Sequence, residues 1–169
     1  MPSNAVDTFT DPDDYVASVR GMPVEVTVTG HGRFTAKSVS IDLHGLWIMR
    51  FSDNLPRIVH AAPTTGRGFV SFRTQPGPSL IAGGLEMLPS HIIWRGRDQS
   101  FFQQSSGFAS SGSMSLPEEE MVSVGATIVG HDLTAPDDSR IFTPLASAMA
   151  RLRRLHAAAG RLAEDAPEM

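Results

Sequence analysis

Cysteine is missing from this 169-residue chain, and its absence excludes disulfide bridges, thiolate metal sites and a cysteine nucleophile together. Long hydrophobic runs are missing too. The apolar stretches "GLWIM" and "HIIW" fall far short of the roughly 20 residues that cross a bilayer as a helix. The opening "MPSNAVDTFTDPDD" carries neither the basic start nor the apolar block of a secretory signal. No export and no membrane partner are implied, and a soluble, cytoplasmic protein is expected. Positive charge is not in excess: 14 Lys and Arg against 18 Asp and Glu give a formal net charge of -4. The chain as a whole is therefore no electrostatic trap for a phosphate backbone. No segment repeats at a fixed period.

What remains is an ordinary globular composition, 41% hydrophobic and 19% charged, at a length that suits one domain with a real core. The first expected element is a short helix, with Asp11 as cap, Pro12 in the first turn, Asp13 and Asp14 at its positive end and Gly21 to close it. "VEVTVTG" alternates, with Val24, Val26 and Val28 on one face and Glu25, Thr27 and Thr29 on the other, which predicts a half-buried strand. In "RFTAKSVSIDL" the apolar parity changes between Ala36 and Val39, which predicts a bulge or bend near Lys37 and Ser38. Both parities of "LWIMRF" are apolar, as in a strand covered on both faces.

Shorter strands are expected in "RIVHA", "GFVSF", "SLIA", "LEML", "HIIW" and "SFFQQ", with the glycine pair of "IAGGLEM" as a tight turn. "SSGFASSGSMS" lacks bulky residues and reads as a loop or frayed strand. A helix near residues 116–129 follows, with Ser115 and Glu118 fitting a capping box. Another is expected from Thr143 as cap and Pro144 as first residue, running out into the polar "EDAPEM". This rhythm of close-set strands followed by helices predicts a mainly β chain with α, an all-β barrel or sandwich with helices after it.

Catalytic and metal motifs are weak. His31, His44, His60, His91, His131 and His156 stand singly, with no pair two apart as ligands on one strand face would be. An atypical metal site on Asp42, His44 and His60, in a small isomerase or dioxygenase, is the rival reading. "GSMSL" and "ASSGS" lack the nucleophile-elbow order, and "TTGRGF" opens no helix and reads as a turn. The three glutamates from Glu118 suit a helix N-terminus without any catalytic role. The pattern does not point to an enzyme, a resident metal or a cofactor. A closed barrel whose sole role is pairing is a third possibility.

Two sets of side chains carry the functional expectation. Phe34, Trp47, Met49, Phe51, Phe72 and Trp94 lie on predicted strands; they form the core or, in a barrel open at one end, line a cavity for a small organic ligand. In the terminal helix, Leu145, Ala148, Leu152, Leu155, Ala159 and Leu162 recur at spacings of three and four, with Met149 beside them. That stripe suits packing on the chain's own barrel and pairing with a second helix alike.

The stretches "RFTAKSVSIDLHGLWIMRF", "GFVSFRTQPG", "GGLEMLPSHIIWRG", "SMSLPEEEMVSVGATIVGHDL" and "PLASAMARLRRLHAAAGRLAEDAPE" together resemble the N-terminal regulatory domain of AraC-type transcriptional regulators. The resemblance runs over nearly the whole chain. It implies a cupin-like β-barrel of the double-stranded β-helix type over residues 1–139, and a dimerisation helix with the start of a linker over 140–169. It further implies a small organic effector, a homodimer formed through Leu145, Met149, Leu152, Leu155 and Leu162, and no catalysis. DNA would be bound through a C-terminal pair of helix-turn-helix units that this sequence does not contain, so the chain is expected to be a fragment of a longer regulator.

Overall fold

The computed structural model describes residues 3–19, 22–63 and 65–165. In chain order the elements are β1 (Ser3–Phe9), α1 (Pro12–Ala17), β2 (Val24–Val28), β3 (Ala36–Leu43), β4 (Leu46–Asp53), β5 (Arg57–Ala61), β6 (Arg67–Arg73), β7 (Leu80–Ala82), β8 (Leu85–Glu86), β9 (Ile92–Trp94), β10 (Phe101–Ser105), β11 (Ala109–Pro117), α2 (Glu118–Ile128), β12 (Arg140–Phe142) and α3 (Ala146–Asp165). The chain is mainly β with helices, as its strand rhythm predicts. One antiparallel sheet has the order β1-β3-β4-β11-β6-β9-β12 and the other β2-β5-β10-β7-β8, and both are open.

Local chemistry accounts for many of these elements. The Asp11 side chain accepts the Asp13 amide at 2.8 Å and Pro12 opens α1. The Gly21 expected to end that helix, and the last four residues of the polar exit, lie outside the described residues. In β2 the burial alternates residue by residue, as its valines and polar residues dictate. Between β7 and β8, Gly83 and Gly84 have φ of 59° and 80°, the positive pair that a two-residue hairpin turn needs.

Five expectations are corrected. First, β3 has no bulge: it pairs residue for residue with β4 along its whole length and with β1 from Ala36 to Asp42. Its parity changes because it is covered on both faces, Ala36 and Ser38 turning one way and Val39 the other, where α3 packs. Second, α1 is not the first element. "SNAVDTF", with little strand propensity of its own, is held as β1 by the free edge of β3, from Ser3 opposite Asp42 to Phe9 opposite Ala36.

Third, only the start of the serine-rich stretch is a loop, at residues 106–108, and from Ala109 onward it is regular strand. It forms β11 in the middle of the larger sheet, between β4 and β6. Fourth, Ser115 caps nothing. It sits in β11, where its hydroxyl accepts from Arg67 Nε at 3.2 Å, and α2 starts after Pro117 without a side-chain cap. Likewise α3 begins at Ala146 rather than at Pro144, with the Met149 amide donating to the Leu145 carbonyl.

The core has two centres. Phe72, Leu80, Ala82, Met87, Ile93, Ala109 and Met149 form one, which joins strands of both sheets to α3. Tyr15, Phe34 and Ala36 form the other, with Phe9, Val28, Phe51 and Leu55 packed on it beside α1. No helix among the described residues is long and apolar enough to cross a membrane.

Candidate functional site

Strand alternation delivers two unlike walls to the space between the sheets. From the smaller sheet come Val24 and Val26 of β2, Val59 and Ala61 of β5, and Phe101 and Gln103 of β10. From the larger sheet come Phe51, Phe69, Ser71, Ser111 and Ser113, with Tyr15, Val19 and Met22 at the α1 side. They enclose a small cavity of about 80 Å³ that opens to solvent. The lack of bulk in β11 is the physical reason for the space: Ser111 and Ser113 end where a leucine would fill it.

Two arginines reach this cavity. Arg57 is buried with Asp53, donating from Nε to Oδ2 at 2.7 Å, and its second donor reaches Gln103 Oε1 at 3.4 Å. Burial raises the Asp53 carboxyl above its usual range, and the facing guanidinium opposes that shift. Arg95, placed just after β9 with its amide bonded to the Phe69 carbonyl at 2.9 Å, is only 3% exposed. Its guanidinium lies over the Phe101 ring at 3.7 Å. Burial pulls it down to a pKa of about 10, still cationic near neutral pH. Tyr15 is pushed up by burial and stays a neutral phenol. The described lining has no carboxylate and no imidazole, so it is chemically suited to holding a molecule by charge, hydrogen bonds and apolar contact.

The structure separates the aromatic residues singled out from sequence. Phe51 lines this cavity, whereas Phe34 packs with Tyr15, ring centroids 5.9 Å apart, in the second core centre. Trp47 and Met49 border a smaller cleft near Ser3 and Asp42. There the Trp47 indole donates to Asp42 Oδ2 at 3.1 Å and carries the Arg67 guanidinium 3.7 Å from the ring centre. Phe72 is fully buried under α3, and Trp94 packs against Phe142.

The alternative metal set does not assemble. Asp42 Oδ1 accepts the Gly45 amide at 3.0 Å in the β3–β4 turn that contains His44, while His60 lies on the other sheet, stacked on Phe102. Among the described residues, no three His, Asp or Glu are grouped to hold a metal ion.

Sequence reasoning missed Arg57, Arg95, Gln103, Ser71, Ser111 and Ser113. For Arg57 a signal exists: it falls in phase with Val59 and Ala61, on the apolar parity of its strand. Arg95 gives none, since it stands one place beyond a three-residue strand.

The α3 helix lies on the opposite face of the larger sheet. His156 packs edge-on to Phe72 at 5.0 Å and over Gly112, where an added Cβ would meet the imidazole Cε1 at 2.7 Å. The sequence seam is divided by this docking. Met149 and His156 are buried against the sheet and Leu152 is half-buried on the core, while Leu145, Leu155 and Leu162 point away, 79%, 59% and 66% exposed. Of the five residues expected to pair two chains, Met149 and Leu152 are thus engaged by their own domain.

No known protein family matches the sequence, and no curated protein matches it. Among solved structures the chain is similar to the AraC-like transcriptional activator CuxR, at a TM-score of 0.55 and 14% sequence identity, over 97% of this chain. The chain spans 61% of that protein's length, and at this identity what the two share is the fold.

Proposed function

We propose that this chain is the effector-binding and dimerisation domain of an AraC-type transcription regulator, non-enzymatic, cytoplasmic and built as a cupin-like barrel. In this reading, residues 1–139 sense a small organic molecule and residues 140–169 pair two chains and lead toward a separate DNA-binding domain. The solved neighbour, an AraC-like transcriptional activator, agrees with that reading. The observation that carries it is the double use of β11: Ser111 and Ser113 face the cavity, and Gly112 between them bears His156 of α3. A molecule seated in the cavity presses on a strand whose other face holds the helix. It favours one placement of α3 to the extent that it binds that placement more tightly. The exposed Leu145, Leu155 and Leu162 are the face offered to the second chain, and burying each adds about 1.5–3 kcal/mol.

Native mass spectrometry of the wild type against the double variant Leu155→Glu, Leu162→Glu tests this reading. The wild type is expected as a dimer and the variant as a folded monomer with an unchanged circular dichroism spectrum. A variant dimer of undiminished affinity would show that α3 is not the interface.

A further inference from the structure

The two arginines at the cavity are not in the same state. Arg57 is neutralised by Asp53 and braced by Gln103. Arg95 is nine-tenths and more buried, lines the same cavity, and makes no side-chain hydrogen bond or ion pair among the described residues. Among the described residues its Nε is a buried donor with no acceptor, and so is the hydroxyl of Ser71 in the same lining. A buried cation without a counter-charge is costly to the fold, and the face of Phe101 repays part of that cost.

We propose that Arg95 is the anion-binding residue of the cavity and that the ligand is a small organic monocarboxylate with an apolar body. The inference rests on the effector-binding reading above and specifies its ligand. A planar guanidinium matches a carboxylate with two parallel hydrogen bonds. Ser71 supplies another donor, and Val24, Val26, Val59 and Phe51 cover the hydrocarbon part. One unmatched positive charge calls for one negative charge. A phosphate monoester, carrying about two at neutral pH, would leave part of its charge buried and unpaired. The guanidinium already stacked on Phe101 needs little reordering to receive its partner, which favours affinity.

Calorimetric titration with phenylacetate and octanoate, each against its neutral amide, tests the proposal. Protein labelled at the valine methyls and the Arg95 Nε–H is followed by NMR in parallel. The acids are expected to bind about tenfold or more tightly than the amides, moving the Arg95 Nε–H signal and the Val24 and Val26 methyls.

Arg95→Met is expected to fold at least as stably as the wild type, because it removes an uncompensated charge, and to bind acid and amide alike. Arg95→Lys should keep part of the preference for acids. Amides binding as tightly as acids, with the same methyls shifting, would overturn the carboxylate assignment and leave the effector cavity standing. An acid preference that survives in Arg95→Met would overturn the role of Arg95. If neither acids nor amides move the cavity methyls at millimolar concentration, the carboxylate assignment and the effector cavity both fail.

Discussion

The two faces of the larger sheet solve opposite problems with the same strands. On the face toward α3, Phe72, Met149 and His156 close up with Gly112 until an added methyl would collide. On the face toward the smaller sheet, Ser71, Ser111 and Ser113 leave an open volume crossed by arginines. The difference teaches that small side chains in a central strand have two uses: a glycine admits a neighbour, and serines hold space open. Packing one face densely stabilises the fold, which allows the other face to stay unfilled without loss of structure.

The sharpest way to break this comparison is Phe72→Ala. It removes a fully buried ring and should cost about 3–5 kcal/mol in a urea unfolding series, the usual range for phenylalanine truncation in a core. A loss below about 1 kcal/mol would mean that α3 is not packed as described.

Next in size is a pH effect at His156. Burial, aided by the nearby Arg50 charge, pulls its pKa from 6.5 down to about 4, against backbone hydrogen bonds at Ser113 and Met49 that favour the charged form. The unfolded chain therefore takes up the proton first as pH falls. The stability tied to a neutral His156 is fully present above about pH 6.5 and is lost progressively toward pH 4, amounting to about 3 kcal/mol. The unfolding free energy of the wild type minus that of His156→Leu should fall by about 3 kcal/mol as pH drops from about 6.5 to about 4. A constant difference from pH 7 to pH 4 would overturn this.

The smallest effect is expected on the open face. Ser111→Val adds bulk into empty space, so stability should change by less than about 1 kcal/mol in the same urea assay. Phenylacetate binding should fall because the volume is taken. A large destabilisation would mean that the space is filled by structure rather than open.

Much of the β architecture was legible because its signals are local. The clean alternation of Val24, Val26 and Val28, the doubly apolar β4 and the glycine pair before β8 all state their roles within a few residues. The two ends of the larger sheet were not legible. β1 and the three-residue β12 are strands because an edge was available to pair with, not because "SNAVDTF" or "RIF" asks to be extended. The aromatic residues chosen for the cavity were a partial guide, since hydrophobicity identifies burial without saying which side of a two-faced sheet a ring occupies. Phe51 and Phe72 lie on β4 and β6, the two strands that flank β11 in one sheet, one toward the cavity and the other under α3.

By itself the sequence determined the mainly β character, the amphipathic terminal helix, and the absence of thiol chemistry and of a helical membrane span, because composition and short-range periodicity suffice for these. Tertiary structure alone decided which helix leucines remain outside, that a run of serines becomes a central strand, and that Arg57 meets Asp53 while Arg95 meets an aromatic face. Each of these depends on which distant segments come together, and pairing across a sheet or between sheets leaves no mark within a few residues of sequence.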